Sequence, residues 1–146
     1  MYRIEIPQSA RNAVGLQRTS HNTMITAKVR SIYSLDVEGP LSSYVPMDTE
    51  RFSLLVRVMV GLHQSEGGEE SFEMTVCTPS WLSDECERNG WVSGEHKIVV
   101  SAYRWPVIEA AIKKLVEQHS GDSWREVASR VSQVGHWEFA DYRESI

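Results

Sequence analysis

Cysteine is scarce, and so is positive charge across the middle of the chain. Only two cysteines occur, Cys77 and Cys86, with no CxxC spacing and no histidine placed to complete a metal site. That excludes a disulfide framework read from cysteine pattern, and we expect reduced, structural thiols in a reducing compartment. No run approaches the roughly 18–20 apolar residues that span a bilayer. The amino terminus, MYRIEIPQSARNAVGLQRTSHNT, lacks the apolar stretch of a secretory signal. A soluble, cytoplasmic protein is the expectation. Hydrophobic content of 41% and charged content of 24% are those of an ordinary globular chain. At 146 residues a single core can form without a crosslink or a metal.

Between Ser31 and Glu95 only Arg51, Arg57 and Arg88 are basic, against twelve carboxylates. The stretch carries −9 while the whole chain carries −5. Residues 1–30 hold five basic groups against Glu5, and residues 96–146 balance seven against seven. Crowded acid costs self-repulsion, so it points to a basic partner or to cations. Nucleic acid is excluded as a partner by the same electrostatics, because phosphate binding needs clustered Lys and Arg. Gly67–Gly68 lacks the Lys and Ser/Thr of a phosphate loop. Glu66, Glu69, Glu70 and Glu73 do not follow the alternate spacing of a calcium loop. No cofactor is indicated.

Regular patterning starts at Met24. Residues 1–23 read either as an arm outside the domain or as sequence upstream of a native start at Met24; the domain is residues 24–146. Ile25, Ala27 and Val29 alternate with polar residues as in a half-buried strand, and Ile32 breaks the parity, predicting a bulge at Arg30–Ser31. Residues 36–50, DVEGPLSSYVPMDTE, have the turn chemistry of an irregular loop. Phe52, Leu54, Val56, Val58 and Val60 mark one face of a long strand, and Leu55 and Met59 on the other predict that it is covered on most of both sides. The segment HQSEGGEES turns the chain into an antiparallel partner lined by Phe72, Met74 and Val76.

Thr78–Pro79 opens a short helix that Gly90 closes. His96, Ile98, Val100 and Ala102 give a fourth strand. Pro106 opens a longer helix striped by Ile108, Ala111, Ile112, Leu115, Val116 and His119, ending at Gly121. Ser123 and Glu126 form a capping box for a last helix with Trp124, Val127, Ala128, Val131 and Val134 inward and Gly135 at its end. The aromatic tail HWEFADY is expected to dock back on the sheet. The order β-β-β-α-β-α-α predicts an α+β fold: an antiparallel sheet of about four strands with helices packed on one face.

Catalytic groupings are weak. The five histidines are too dispersed to define a site by spacing, and His119 reads as a packed side chain. A Cys77–His96 dyad has no basic neighbour to ionise the thiol. Two carboxylates meeting in a pocket would make a small hydrolase, but no spacing favours a particular pair. Four of the five tryptophans read as core or half-buried. Trp91, after Gly90, and Tyr44, inside the acidic loop, are instead candidate partner anchors.

Three blocks, SLDVEGPLSSYVPMD at 34–48, GGEESFEMTVCTPSWL at 67–82 and SGDSWREVASRVSQVGHWEFADY at 120–142, occur in series. Together they resemble the immunity protein 8 family of bacterial polymorphic toxin systems, from about Ile25 to Tyr142. The resemblance implies a cytoplasmic, non-enzymatic α+β inhibitor that binds a cognate toxin domain, and it supplies no contact residues. Many such toxins act on nucleic acids and present a basic cleft that an acidic surface can fill. The expected toxin-binding surface is the 36–50 loop with the 63–70 hairpin: Asp36, Glu38, Tyr44, Asp48, Glu50, Glu66, Glu69 and Glu70, with Trp91. The alternatives are the hydrolase and a scaffold or regulatory subunit pairing through a sheet edge. Oligomeric state is not legible.

Overall fold

The computed structural model describes residues 24–62 and 69–138. The arm 1–23, the 63–68 turn with Glu66, and the tail after Glu138 lie outside the described residues. Strands β1 (Ile25–Tyr33), β2 (Ser53–Leu62) and β3 (Glu69–Cys77) form the expected antiparallel meander. The β1–β2 register slips between Val29 and Ser31, at the predicted bulge. The slip returns Ile32 to the face of Val58, which it would otherwise leave.

The chain leaves β3 at buried Thr78, whose hydroxyl accepts the Phe52 N–H at 3.1 Å. Helix α1 (Pro79–Asn89) follows, with proline in its first turn. It ends at Gly90, whose φ of 86° is a left-handed conformation that a side chain would strain. Next comes β4 (Lys97–Val99), shorter than expected and parallel to β3. A helical crossover carries the chain back to the end where β3 began, so the next strand must run the same way.

Beyond β4 lie α2 (Trp105–Glu117), β5 (Ser120–Gly121), α3 (Trp124–Val131) and β6 (His136–Trp137). The sheet order is β4-β3-β2-β1-β5, with β6 also on β3. Strand β4 pairs with Thr75–Cys77 and β6 with Phe72–Glu73, so two short strands lie end to end along one edge of β3. The expected antiparallel sheet of about four strands is therefore corrected to a mixed sheet of six. The added strands have two residues each, too few to show alternation. The start of the expected tail docks on β3, with Trp137 stacked on Phe72 at 6.2 Å, and its remainder lies outside the described residues.

The core joins Leu54, Val56, Val58 and Val60 of β2 and Phe72, Met74 and Val76 of β3 to the helices. Helix α2 contributes Ile108, Ile112 and Val116, one turn apart, and α3 contributes Val127, Ala128 and Val131. Each fully buried aliphatic or aromatic side chain stabilises by about 1.5–3 kcal/mol relative to exposure. Ser123 Oγ accepts the Glu126 N–H at 3.2 Å, while the Glu126 carboxylate accepts from Asp122 at 3.0 Å, one residue earlier than a capping box requires. Two helix ends differ from expectation. Helix α2 stops at Glu117, because Gly121 is needed in β5 opposite Ile25, and His119 lies in the connection. Helix α3 stops at Val131, and Gly135 packs where a Cβ would meet Met74 Cε at 2.8 Å.

The other face of the sheet departs from expectation. Leu55 is 45% exposed, so β2 is central in the sheet but, among the described residues, covered on one side only. Register aligns Tyr33, Arg57, Glu73 and His136 across four strands on this open face. Arg57 donates to Glu73 at 2.7 Å within that row.

Candidate interaction surface

The chain between β1 and β2 is irregular yet closely fastened. Ser34 is buried, and its hydroxyl accepts the Asp36 N–H at 3.2 Å. Gly39 takes a φ of 90° that permits the following turn. Leu41 and Pro46 are buried. Tyr103, just before α2, ties the loop down: its hydroxyl donates to the Leu41 carbonyl at 2.8 Å and its N–H to the Thr49 carbonyl at 2.8 Å. Its ring meets Tyr44 and Phe52 edge-on at 5.4 and 5.3 Å. Burial, and then Tyr44, push its hydroxyl up to about 12. At the loop's end Asp48 accepts the Glu50 N–H at 2.9 Å, and Ser80 Oγ donates to the Glu50 carbonyl.

On this stiff platform Leu35, Val45 and Met47 stand 74%, 73% and 106% exposed. Asp36, Glu38, Asp48 and Glu50 are exposed between them and form no ion pair among the described residues. Tyr44 instead is half-buried against Tyr103 and props the loop from beneath.

The remaining expected site residues lie elsewhere. Glu69 and Glu70 pair with Gly61 and Val60, near the far end of β2 from the loop. At about 3.3 Å per residue, Glu69 lies roughly 25 Å along the sheet from the start of β2 and about 13 Å from Glu73, which shares a cavity lining with Asp36. Glu69 is exposed, whereas the Glu70 carboxylate accepts the Trp124 indole N–H at 3.0 Å. Glu66 is outside the described residues. Trp91 is 71% exposed in the connection between α1 and β4; the other four tryptophans are half-buried. The arginines of the acidic stretch are all engaged inside it, Arg51 with Asp84, Arg57 with Glu73 and Arg88 with Glu85. Of the acids of the 36–50 loop, Asp48 feels the nearby Arg51, whose ion pair is with Asp84, and Asp36, Glu38 and Glu50 form no ion pair among the described residues. Leu35, Val45 and Met47 were not singled out from sequence, because apolar residues in a loop follow no period that marks them as outward.

Groups with chemical potential are otherwise occupied. Cys77 is buried at the end of β3, and burial raises its thiol above the usual range. His96 Nε2 donates to the Ser132 carbonyl at 2.8 Å, so the ring is not free to serve that thiol. Among the described residues no group of three His, Cys, Asp or Glu could hold a metal ion. No helix among them is long and apolar enough to cross a membrane. A cavity of about 120 Å³ brings Asp36 and Glu73 to one lining, with the Glu73 carboxylate bonded to Arg57.

The fold is α+β, and its most distinctive surface is an ordered loop of exposed apolar side chains bordered by acid. No curated protein and no solved structure gives a significant match to the chain. The model of one family, immunity protein 8, matches residues 27–142. The chain belongs to the immunity protein 8 family.

Proposed function

We propose that this protein is a cytoplasmic, non-enzymatic immunity protein that binds and neutralises a cognate bacterial toxin domain in a stoichiometric complex. Family membership supports the reading, and the observation that carries it to a surface is the fastened loop 34–50. Leu35, Val45 and Met47 are the apolar anchors. Asp36, Glu38, Asp48 and Glu50 form a polar rim that selects a basic partner. Ordered anchors lose little conformational entropy on docking, so more of the contact energy appears as affinity. Glu69 and Glu70 on β3, together with the charge of Glu66, add to the negative field that acts on encounter, while Trp91 is an uncharged exposed aromatic in a separate connection.

Sheet-edge pairing finds less support. The outermost strands, β4 and β5, have three and two residues. Beyond β5, the Glu117 carboxylate accepts the Val29 N–H at 2.9 Å, occupying the β1 edge with a side chain.

The test is a triple replacement, Leu35→Ser, Val45→Ser and Met47→Ser, assayed against the cognate toxin domain. Removing central anchors should weaken binding at least ~30-fold, about 2 kcal/mol, with the circular dichroism spectrum unchanged. A second variant reversing Asp36, Glu38, Asp48 and Glu50 to Lys should slow association and invert its salt dependence. Unchanged affinity in the first variant together with unchanged association in the second rejects this surface.

A further inference from the structure

Where the chain leaves β1 it passes over the open face of the sheet, and Leu35 and Asp36 enclose a cavity of about 120 Å³ with Leu55, Val56, Arg57 and Glu73. A water occupies about 30 Å³ of liquid, so the space suits one side chain better than a small-molecule substrate, whose sites start near 300 Å³. Leu35 and Leu55 turn exposed aliphatic side chains to the cavity, whereas Val56, whose side chain is in the core on the opposite face, contributes backbone. Of the charged lining residues, Arg57 and Glu73 are joined at 2.7 Å, and Arg57 also bonds to the Tyr33 hydroxyl. Asp36 is different: its backbone N–H is held by Ser34, while its carboxylate has no ion pair among the described residues. The cavity therefore offers an apolar wall, an internally neutralised ion pair and one unmatched negative charge.

We infer that this cavity receives a single basic side chain, lysine or arginine, from the partner protein. The aliphatic stem lies along Leu35 and Leu55, and the cationic head meets the Asp36 carboxylate. Long basic side chains bury their methylenes on apolar surface and keep the charged end in polar surroundings, the distribution this lining provides. An acidic guest would face two carboxylates against one arginine, already paired with Glu73 and with only its buried Nε lacking a partner among the described residues. A purely apolar guest would fill the space while stripping water from Asp36 without replacing its hydrogen bonds. The inference rests on the immunity reading for its partner, but the pocket's chemistry can be tested without the toxin.

The probes are N-acetyl-arginine amide, N-acetyl-norleucine amide and N-acetyl-aspartate amide, titrated into methyl-labelled full-length protein and followed by NMR. Arginine amide should shift the Leu35 and Leu55 methyls saturably. Asp36→Asn should weaken that response at least ~10-fold, while Glu87→Gln, an exposed acid on α1, leaves it unchanged. Norleucine amide shifting the same methyls equally well overturns the basic specificity, and so does an Asp36→Asn response equal to the parent's. No saturable shift with any amide overturns the pocket. A toxin that binds the parent and Asp36→Asn alike removes the pocket while leaving neutralisation intact. A pocket that takes arginine amide in a protein the toxin ignores sinks the immunity reading instead.

Discussion

Strand β2 presents two faces of opposite character. On one, Leu54, Val56, Val58 and Val60 are buried in a core closed by α2 and α3. On the other, Leu55 is half in solvent beside Arg57, which is ion-paired across the sheet to Glu73. The alternation of side chains along an extended strand produces both faces, yet only one acquires helices. A permanently buried face seldom retains an ion pair, because desolvating two charges costs more than the pair returns. A fully solvated face has no use for Leu35 and Leu55 around a cavity. The mixed character of the open face matches an interface that is formed and released, apolar at its centre and polar at its border.

The comparison can be broken most directly at two adjacent leucines. Leu54→Ala should cost about 2–5 kcal/mol of stability, while Leu55→Ala should stay within about 0.5 kcal/mol. Urea unfolding of the two variants checks this, and equal losses would mean both faces are covered. Next in size is Gly135→Ala, which places a Cβ 2.8 Å from Met74 Cε and 3.2 Å from the Glu73 carbonyl on the crowded edge of β3. Overpacking there should cost about 1–3 kcal/mol, seen as a lowered melting temperature. Tyr103→Phe removes the hydrogen bond to the Leu41 carbonyl and should cost about 1 kcal/mol. Hydrogen exchange should rise across residues 41–49 with the sheet unaffected; uniform protection would show that Tyr103 does not hold the loop.

The smallest effect concerns His119, under the covered face, where burial and then Arg130 lower its affinity for a proton below the ordinary 6.5. As pH falls through 6.5 the unfolded chain protonates first, so stability drops until the folded-state value is passed. His119→Gln should flatten that part of the stability profile between pH 7 and 5, and an unaltered slope would assign it to other groups. Tyr103 titrates in the opposite sense. Its contribution is complete below pH 10 and is lost between 10 and about 12, where the phenol of the unfolded chain ionises before the buried one.

Much of the fold was readable beforehand. Period-two runs located β1, β2 and β3, parity failure at Ile32 located the bulge, and Gly90 located the end of α1. Each is a local preference that tertiary contacts reinforce. The parallel direction of β4 was implied by its own helical crossover, though the expected sheet was antiparallel. The two-residue strands β5 and β6 had no signal, since so short a segment is extended only because a neighbouring strand offers hydrogen bonds. The acidic loop was legible by composition. Its apolar anchors were not, because exposure of Leu35, Val45 and Met47 follows from how Tyr103, Leu41 and Pro46 fasten the backbone below them.

Sequence by itself determined the strands of the meander, the stripes of α2 and α3, and the surplus of acid, all properties of residues close together along the chain. Tertiary structure alone decided which acids remain unmatched: Arg51, Arg57 and Arg88 reach Asp84, Glu73 and Glu85, leaving Asp36, Glu38, Asp48 and Glu50 without ion pairs beside exposed apolar side chains. Charge adds along a sequence, but Coulombic pairing depends on separation in space, and only the folded backbone sets that distance.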